Sequence, residues 1–144
     1  MSKSILCAID MNRPEAEVPV LETAARLATL DGARLDVITV LPDYGSSLVG
    51  SFFQKGYHEK AVAQTKEALH RFTAEIIGEE MDAGVRHLVS TGKAYEHILD
   101  AAKKADSDLI VIGAHQPELQ DYLLGPNAAR VVRHAKCSVY VVRT

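Results

Sequence analysis

The sequence contains no tryptophan, only two cysteines, and no apolar run near the ~20 residues that cross a membrane. Cys7 and Cys137 are too far apart in sequence to form a CxxC motif, so we expect two buried, reduced thiols. Lysine and arginine together number 16 against 19 acidic residues, and this net charge of −3 argues against a nucleic-acid-binding surface. The N-terminal residues show no signal-peptide pattern. We therefore expect a cytoplasmic protein with neither a membrane nor a nucleic-acid partner.

Metal-binding motifs are also missing. The six histidines are spread along the chain without an HExxH pattern or a cluster with cysteine. The sequence therefore predicts no metal site formed by protein side chains.

The chain does contain a regular alternation of apolar segments and helical patterns. Apolar runs predict strands at residues 4–9, 35–41, 85–90, 109–112 and 138–142. Apolar spacings of three and four predict helices at residues 14–30, 58–80, 94–105 and 127–135. This alternation favours one α/β domain over residues 1–144, a doubly wound fold with a five-stranded parallel sheet in the order 3-2-1-4-5 and helices on both faces. In such a sheet a ligand binds beyond the carboxyl ends of the strands, where the strand order reverses.

The most informative stretch begins at the fourth predicted strand. This strand leads into Gly113, a loop follows, and Gly125 stands just before the last predicted helix. A strand, a glycine, a loop and a second glycine before a helix can bring backbone amides and a helix N-terminus up to a phosphate group. Asp10 and Val40 lie at the ends of the first and second predicted strands, so we expect them to converge with Gly113.

The chain resembles the universal stress protein family over essentially its whole length. The resemblance rests on residues 5–10, residues 38–42, Gly92, and above all residues 108–115, 123–125 and 138–142. It implies a Rossmann-like fold, a homodimer and, in the nucleotide-binding branch, an ATP site. The short loop and the Leu-Leu-Gly-x-Asn-Ala sequence are similar to the F- and G-type bacterial members, which are expected to bind ATP.

The resemblance also implies which residues meet the nucleotide. Asp10 is expected at the adenine or ribose end, and Val40 is expected to contact adenine through its backbone groups. The implied binding residues are Asp10, Val40, Ile112, Gly113, His115, Gln116, Gly125, Pro126, Asn127 and Ala128. Five of them have a plainer interpretation: Asp10 as a turn or capping residue, Val40 as core packing, Gly113 and Gly125 as glycines that only permit turns, and His115 as a surface or capping residue. A magnesium ion would be held mostly by the phosphate oxygens of ATP.

The loop departs from the family pattern of Gly-x2-Gly-x9-Gly followed by Ser or Thr. Gln116 replaces the second glycine, the loop is one residue shorter, and Pro126 replaces the Ser or Thr. If Gly125 caps the helix, Pro126 is its first residue, where proline is favoured. The amides of Asn127 and Ala128 would then still point at a phosphate. We expect a phosphate site that is altered but not abolished.

Other residues near the implied site have open roles. Tyr44, Phe52 and Phe53 are candidates for a lid over adenine, although packing under a long loop is equally compatible with the sequence. Arg130 either reaches a phosphate or belongs to a solvated basic face of the last helix.

The last predicted strand suggests how the chain assembles. At a sheet edge its unpaired backbone groups favour pairing with a second copy across a two-fold axis. The family resemblance implies the same homodimer, through Val139, Tyr140, Val141 and Val142.

Three functions remain open at this point. The resemblance favours an ATP-binding regulatory or stress-response module with at most slow hydrolysis and an unknown protein partner. The sequence carries no Walker lysine motif and no base with an orienting partner. The first alternative is a nucleotide-free dimeric interaction module, which Gln116 and Pro126 favour. The weaker alternative is an ATP-cleaving enzyme. It is disfavoured because residues 10–15 contain neither signature of the related ATP-cleaving and adenylating families.

Overall fold

Five parallel strands form the centre of the molecule. The structure, a computed structural model, describes residues 2–42, 54–114 and 126–143. The strands are β1 (Ser4–Ala8), β2 (Arg34–Leu41), β3 (Arg86–Thr91), β4 (Leu109–Ala114) and β5 (Ser138–Arg143). They lie in the order β3-β2-β1-β4-β5, and every neighbouring pair is parallel. The predicted doubly wound α/β sheet is thereby confirmed.

The helices of the described residues follow the predicted pattern with one exception. They are α1 (Pro14–Asp31), α2 (Gln54–Ile77), α3 (Glu79–Asp82), α4 (Ala94–Lys104) and α5 (Pro126–His134). The prediction of one uninterrupted helix over residues 58–80 was wrong. Gly78 has a φ of 90° and a ψ of 150°, a conformation that glycine alone adopts readily, and it separates α2 from the short helix α3.

Burial on both faces explains why β1 is apolar throughout. All five residues of β1 are buried, and successive side chains point to opposite faces of the sheet. Ile5 and Cys7 belong to one core cluster with residues of α1 and α2. Leu6 and Ala8 belong to a second cluster with residues of α4 and α5. The sheet is therefore the middle of three layers, as expected when parallel strands are connected by helices.

The two cysteines are free, as the sequence predicted, but only Cys7 is fully buried. Cys137 is half-buried. Burial raises the pKa of the Cys7 thiol well above its ordinary value, and it raises the pKa of Cys137 as well. Both side chains therefore remain protonated thiols at neutral pH, with little thiolate available for reaction. Among the described helices, none is both long and apolar enough to cross a membrane.

Asp108 ties the start of β4 to the start of β1. Its Oδ2 accepts hydrogen bonds from the amides of Lys3 at 2.8 Å and Ser4 at 3.3 Å. Its own amide donates to the Ser4 carbonyl at 2.9 Å. The Lys3 hydrogen bond lowers the pKa of the Asp108 carboxyl, because it favours the ionised form.

We predict that Asp108→Ala destabilises the fold by about 1 kcal/mol at neutral pH, because both amides lose their acceptor. A carboxyl with a lowered folded pKa stabilises the protein above its unfolded pKa and loses that effect as the pH falls through the folded pKa. The difference between the variant and the original protein should therefore shrink below about pH 4. Urea unfolding from pH 7 to pH 3 measures it, with Glu22→Ala, an exposed carboxylate on α1, as the control. A difference that stays constant over this range would contradict the assignment.

Candidate functional site

A cleft of about 360 Å³ opens at the carboxyl edge of the sheet. It lies at the ends of β1, β2 and β4, beside the turn into α1 and the start of α5. This is the point where the chain, having built β2 and β3 on one side of β1, adds β4 and β5 on the other. It is the position at which doubly wound proteins bind their ligands.

Most of the residues predicted from the sequence meet in this cleft. Its lining includes Asp10, Val40, Ile112, Gly113, Pro126, Asn127 and Ala128. His115, Gln116 and Gly125 lie outside the described residues, as do the lid candidates Tyr44, Phe52 and Phe53. Seven residues from four separate segments thus surround one space, and their contact with a nucleotide stays a prediction.

The floor of the cleft is apolar. Ala8, Ile38, Ile98 and Ile112 are buried and also belong to the core cluster beneath. The half-buried Val40 packs against the same cluster, so it has the core-packing role that the sequence also allowed. Ligand sites commonly combine such an apolar surface with a few polar groups that fix orientation.

Asp10 closes the turn between β1 and α1. Its Oδ1 accepts a hydrogen bond from the amide of Asn12 at 2.9 Å, and its carbonyl accepts one from the amide of Arg13 at 3.0 Å. Arg13 rather than Asp10 is the N-cap of α1. Although Asp10 makes these hydrogen bonds in the turn, it is exposed at the cleft wall and accessible to a ligand.

The sequence analysis missed Glu17, a charged residue within the same wall. Its side chain is only 4% exposed, and its Oε1 accepts a hydrogen bond from the amide of Asp10 at 3.0 Å. Glu17 lies one turn before Val20 and Leu21, on the buried face of α1. A carboxylate on an apolar helical face was the signal that could have identified it. Arg13 and Asn12 also line the cleft and were not predicted.

The first turn of α5 borders the cleft and carries the partial positive charge of a helix N-terminus. Within the described residues α5 starts at Pro126, and the expected cap, Gly125, lies outside them. Proline is favoured in the first turn of a helix. The amides of Asn127 and Ala128 lie in the first turn, where a helix offers no internal acceptor. Pro126 and Asn127 are exposed, and Ala128 is buried against the sheet. The N-terminal end of the helix dipole therefore borders the cleft.

Arg130, one turn further along α5, has a different environment. Its guanidinium carbon lies 4.7 Å from the centroid of the Tyr95 ring on α4, a cation–π arrangement. Neither residue is part of the cleft lining. This placement supports the interpretation of Arg130 as part of an external basic face.

Gly92 lines the cleft at a position where a side chain would be strained. Its φ is 135°, and a Cβ at this position would lie 2.6 Å from Nε2 of His97. The Gly92 amide donates to the Leu41 carbonyl at 2.9 Å, which ties the end of β3 to the end of β2. Glycine is favoured here by its backbone conformation, whereas the tip of the His97 side chain could move to make room for a Cβ.

Comparisons with known proteins agree with this geometry. The model of the universal stress protein family matches residues 1–143. Universal stress protein G of Shigella flexneri is 27% identical over 99% of this chain and 100% of its own length. The solved structure of universal stress protein UspA from Lactobacillus plantarum has a TM-score of 0.76 at 24% identity, covering 98% of this chain and 97% of that one. A universal stress protein solved in complex with cAMP has a TM-score of 0.65 at 14% identity, covering 98% and 97%. The family resemblance inferred from the sequence is confirmed.

We predict that Gly92→Ala destabilises the protein by about 1–3 kcal/mol, because the variant must hold a strained backbone and displace His97. Chemical unfolding measures the change. Gly56→Ala is the matched control, since Gly56 lies in α2 with open space where its Cβ would be. That control should gain about 0.5–1 kcal/mol from better helix formation. Equal changes in the free energy of unfolding at the two positions would show that the backbone conformation at Gly92 does not require glycine.

Proposed function

Because the chain belongs to the universal stress protein family, we propose that its cleft binds ATP and that the bound nucleotide regulates the conformation, assembly or partner contacts of this protein. The observation that carries the proposal is the pairing of an apolar floor under the strand ends with a helix N-terminus at one side. An adenine ring needs the first surface, and phosphate groups need the second.

The adenosine part would lie between the ends of β1 and β2. Val40 and Ile38 provide apolar contact there, and Asp10 and Glu17 provide carboxylates from the turn and the first part of α1. Carboxylates at such a position are suited to accept hydrogen bonds from ribose hydroxyls or from the adenine amino group. These carboxylates would also repel phosphate groups, so the nucleotide would bind with its phosphates directed away from them.

The phosphates would lie at the other end, beside Gly113 and the first turn of α5. The amides of Asn127 and Ala128 are the donors that remain once Pro126 has removed one. Gly113, His115, Gln116 and Gly125 complete the proposed set, and magnesium would be held by the phosphates. Any hydrolysis would be slow, in keeping with a regulatory role in the cytoplasm.

Two alternatives make different predictions for the same cleft. The relative solved with cAMP raises the question of which adenine nucleotide this chain prefers. A nucleotide-free interaction module is favoured by Pro126, which removes a donor where ligand phosphates would sit. Binding measurements with ATP, AMP, cAMP and adenosine separate these cases.

We predict that ATP with magnesium, at about 100 times its dissociation constant, stabilises the nucleotide-stripped protein by about 2.7 kcal/mol. AMP should stabilise it less at the same concentration, because it places fewer charges at α5. Thermal unfolding with each nucleotide measures the order. The absence of any shift with all adenine nucleotides would support the nucleotide-free module.

We predict that Asn127→Asp weakens ATP binding by about tenfold, about 1.4 kcal/mol, because a carboxylate would face the phosphates. The change should leave adenosine binding unaltered, and it should not harm the fold, since an acid in the first turn favours a helix. Calorimetric titration measures both ligands. Gln64→Glu, which adds the same charge at an exposed position on α2, is the matched control. Equal losses of ATP and adenosine binding would place the phosphates elsewhere.

We also propose that the protein is a homodimer paired through β5. This strand is an edge of the sheet, with Val139, Val141 and Val142 half-buried and Tyr140 42% exposed. A partly exposed apolar edge with no charge before Arg143 is suited to pair with its own copy.

We predict that Tyr140→Lys converts the dimer to a monomer, because each copy would place a charged side chain on the apolar edge that is proposed to pair. Sedimentation analysis at several concentrations measures the mass. Tyr57→Lys is the matched control, since Tyr57 is an exposed tyrosine on α2. A Tyr140→Lys protein that keeps the mass of the original would exclude this interface.

A further inference from the structure

Three side chains that could bind a metal ion cluster outside the cleft, where α2 and α3 meet the edge strand β3. His70 lies on α2, Asp82 is the last residue of α3, and His87 is the second residue of β3. One ligand atom from each residue can be chosen so that all lie within 4.8 Å of one another. Three different elements therefore deliver two imidazoles and one carboxylate to a single point.

The two histidines approach the same carboxylate from different sides. His70 Nδ1 lies 2.8 Å from Asp82 Oδ2, and His87 Nε2 lies 2.8 Å from Asp82 Oδ1. The imidazole rings are nearly perpendicular, at 87°, with centroids 4.8 Å apart. Each ring therefore turns one nitrogen toward the space around Asp82 instead of stacking on the other.

Asp82 is the unusual member of the cluster because its carboxylate is buried between both histidines while Oδ2 lacks a well-directed hydrogen bond. Its side chain is 1% exposed. Oδ1 accepts a hydrogen bond from the Thr73 hydroxyl. Oδ2 has no hydrogen bond of acceptable geometry, although His70 Nδ1 is close to it. A buried carboxylate oxygen without a hydrogen bond is costly, and a cation at this point would satisfy it.

The surroundings leave room for an ion and for a further ligand. A depression of about 500 Å³ lies over the cluster, lined by His70, Asp82 and the acidic residues Glu75 and Glu79. Arg71 also borders it and pairs with Glu67 at 3.4 Å. The side chain of His70 is 57% exposed, so an ion can reach the site from solvent.

We propose that His70, Asp82 and His87 bind a divalent transition-metal ion, zinc foremost. Two imidazole nitrogens and one carboxylate oxygen are a ligand set that zinc takes readily, whereas magnesium and calcium prefer oxygen alone. Three protein ligands leave a fourth position open to the depression, for water or an outside ligand.

The fit requires only small side-chain movements. Zinc lies about 2.0–2.2 Å from such donors, so the ligand atoms of a tetrahedral site lie roughly 3.4 Å apart. The two histidine nitrogens, each 2.8 Å from an Asp82 oxygen, would move slightly away from that carboxylate, and the widest separation of the donor atoms, now within 4.8 Å, would shrink. The Thr73 hydroxyl donates to Asp82 and so positions this carboxylate from α2. His87 Nε2, which lies 2.9 Å from the same hydroxyl and 2.8 Å from Asp82 Oδ1, would exchange these contacts for the ion.

The ion would join three elements that only short connections otherwise hold together. It would link α2 and α3, which meet at Gly78, to β3 at the outer edge of the sheet. Metal binding to the folded protein alone would stabilise that edge. The site is separate from the proposed nucleotide site, because none of its three ligands lines the cleft.

The experiment is a titration of Zn²⁺ into tag-free, metal-stripped protein without nucleotide, with competition by a chromophoric chelator. We expect one ion per chain, and we expect His70→Gln to weaken binding by about a hundredfold or more, beyond the usual effect of outer-shell changes. His134→Gln is the matched control, since His134 is exposed at the end of α5. It should bind zinc as the original protein does.

Replacement of Zn²⁺ by Co²⁺ gives a second readout that depends on coordination and not on affinity. The original protein should show the visible absorption of four-coordinate Co²⁺, and His70→Gln should lose it. His70 is exposed, so this variant should remain folded, which circular dichroism verifies. Zinc affinity and the cobalt spectrum unchanged in His70→Gln would overturn the proposal, as would binding that His134→Gln weakens equally.

Discussion

The position of β1 in the middle of a parallel sheet is the constraint on which the rest of the structure depends. Parallel strands cannot be joined by tight turns, so each connection must cross a face of the sheet as a helix. The chain first builds β2 and β3 on one side of β1 and then adds β4 and β5 on the other. The helices that follow β1 and β4, α1 and α5, pack on opposite faces of the sheet, and the cleft lies beside the start of each.

This arrangement makes the core and the site depend on the same side chains. Ile38, Ile98 and Ile112 pack between the sheet and its helices, and they also form the floor of the cleft. Because protein interiors are close-packed, such a floor is held rigidly by its neighbours. The polar groups come from segments that begin just beyond the strands, the turn before α1 and the start of α5. The proposed ligand thus meets a rigid apolar surface bordered by polar groups from connecting segments.

Much of this could be predicted from the sequence, because burial on both faces produces apolar runs that end at recognisable residues. Every strand was predicted to within one or two residues, and Asp10, Gly113 and Asn127 were placed at one edge correctly. The break at Gly78 was missed because the apolar pattern of α2 continues through it. Glu17 was missed because glutamate is seldom buried, although its position on the apolar face of α1 indicated burial. The cluster of His70, Asp82 and His87 could not be found by spacing, since three separate elements bring it together.

The most direct test of the account is an amide NMR titration of the nucleotide-stripped protein with ATP and magnesium. We predict that the largest shift changes occur at Asp10, Val40, Gly113, Asn127 and Ala128, which surround the cleft. Adenosine should reproduce the changes at Asp10 and Val40 and leave those of Asn127 and Ala128 nearly absent. Changes confined to other surfaces, or none at all at saturating ATP, would contradict the claim that this cleft is the nucleotide site.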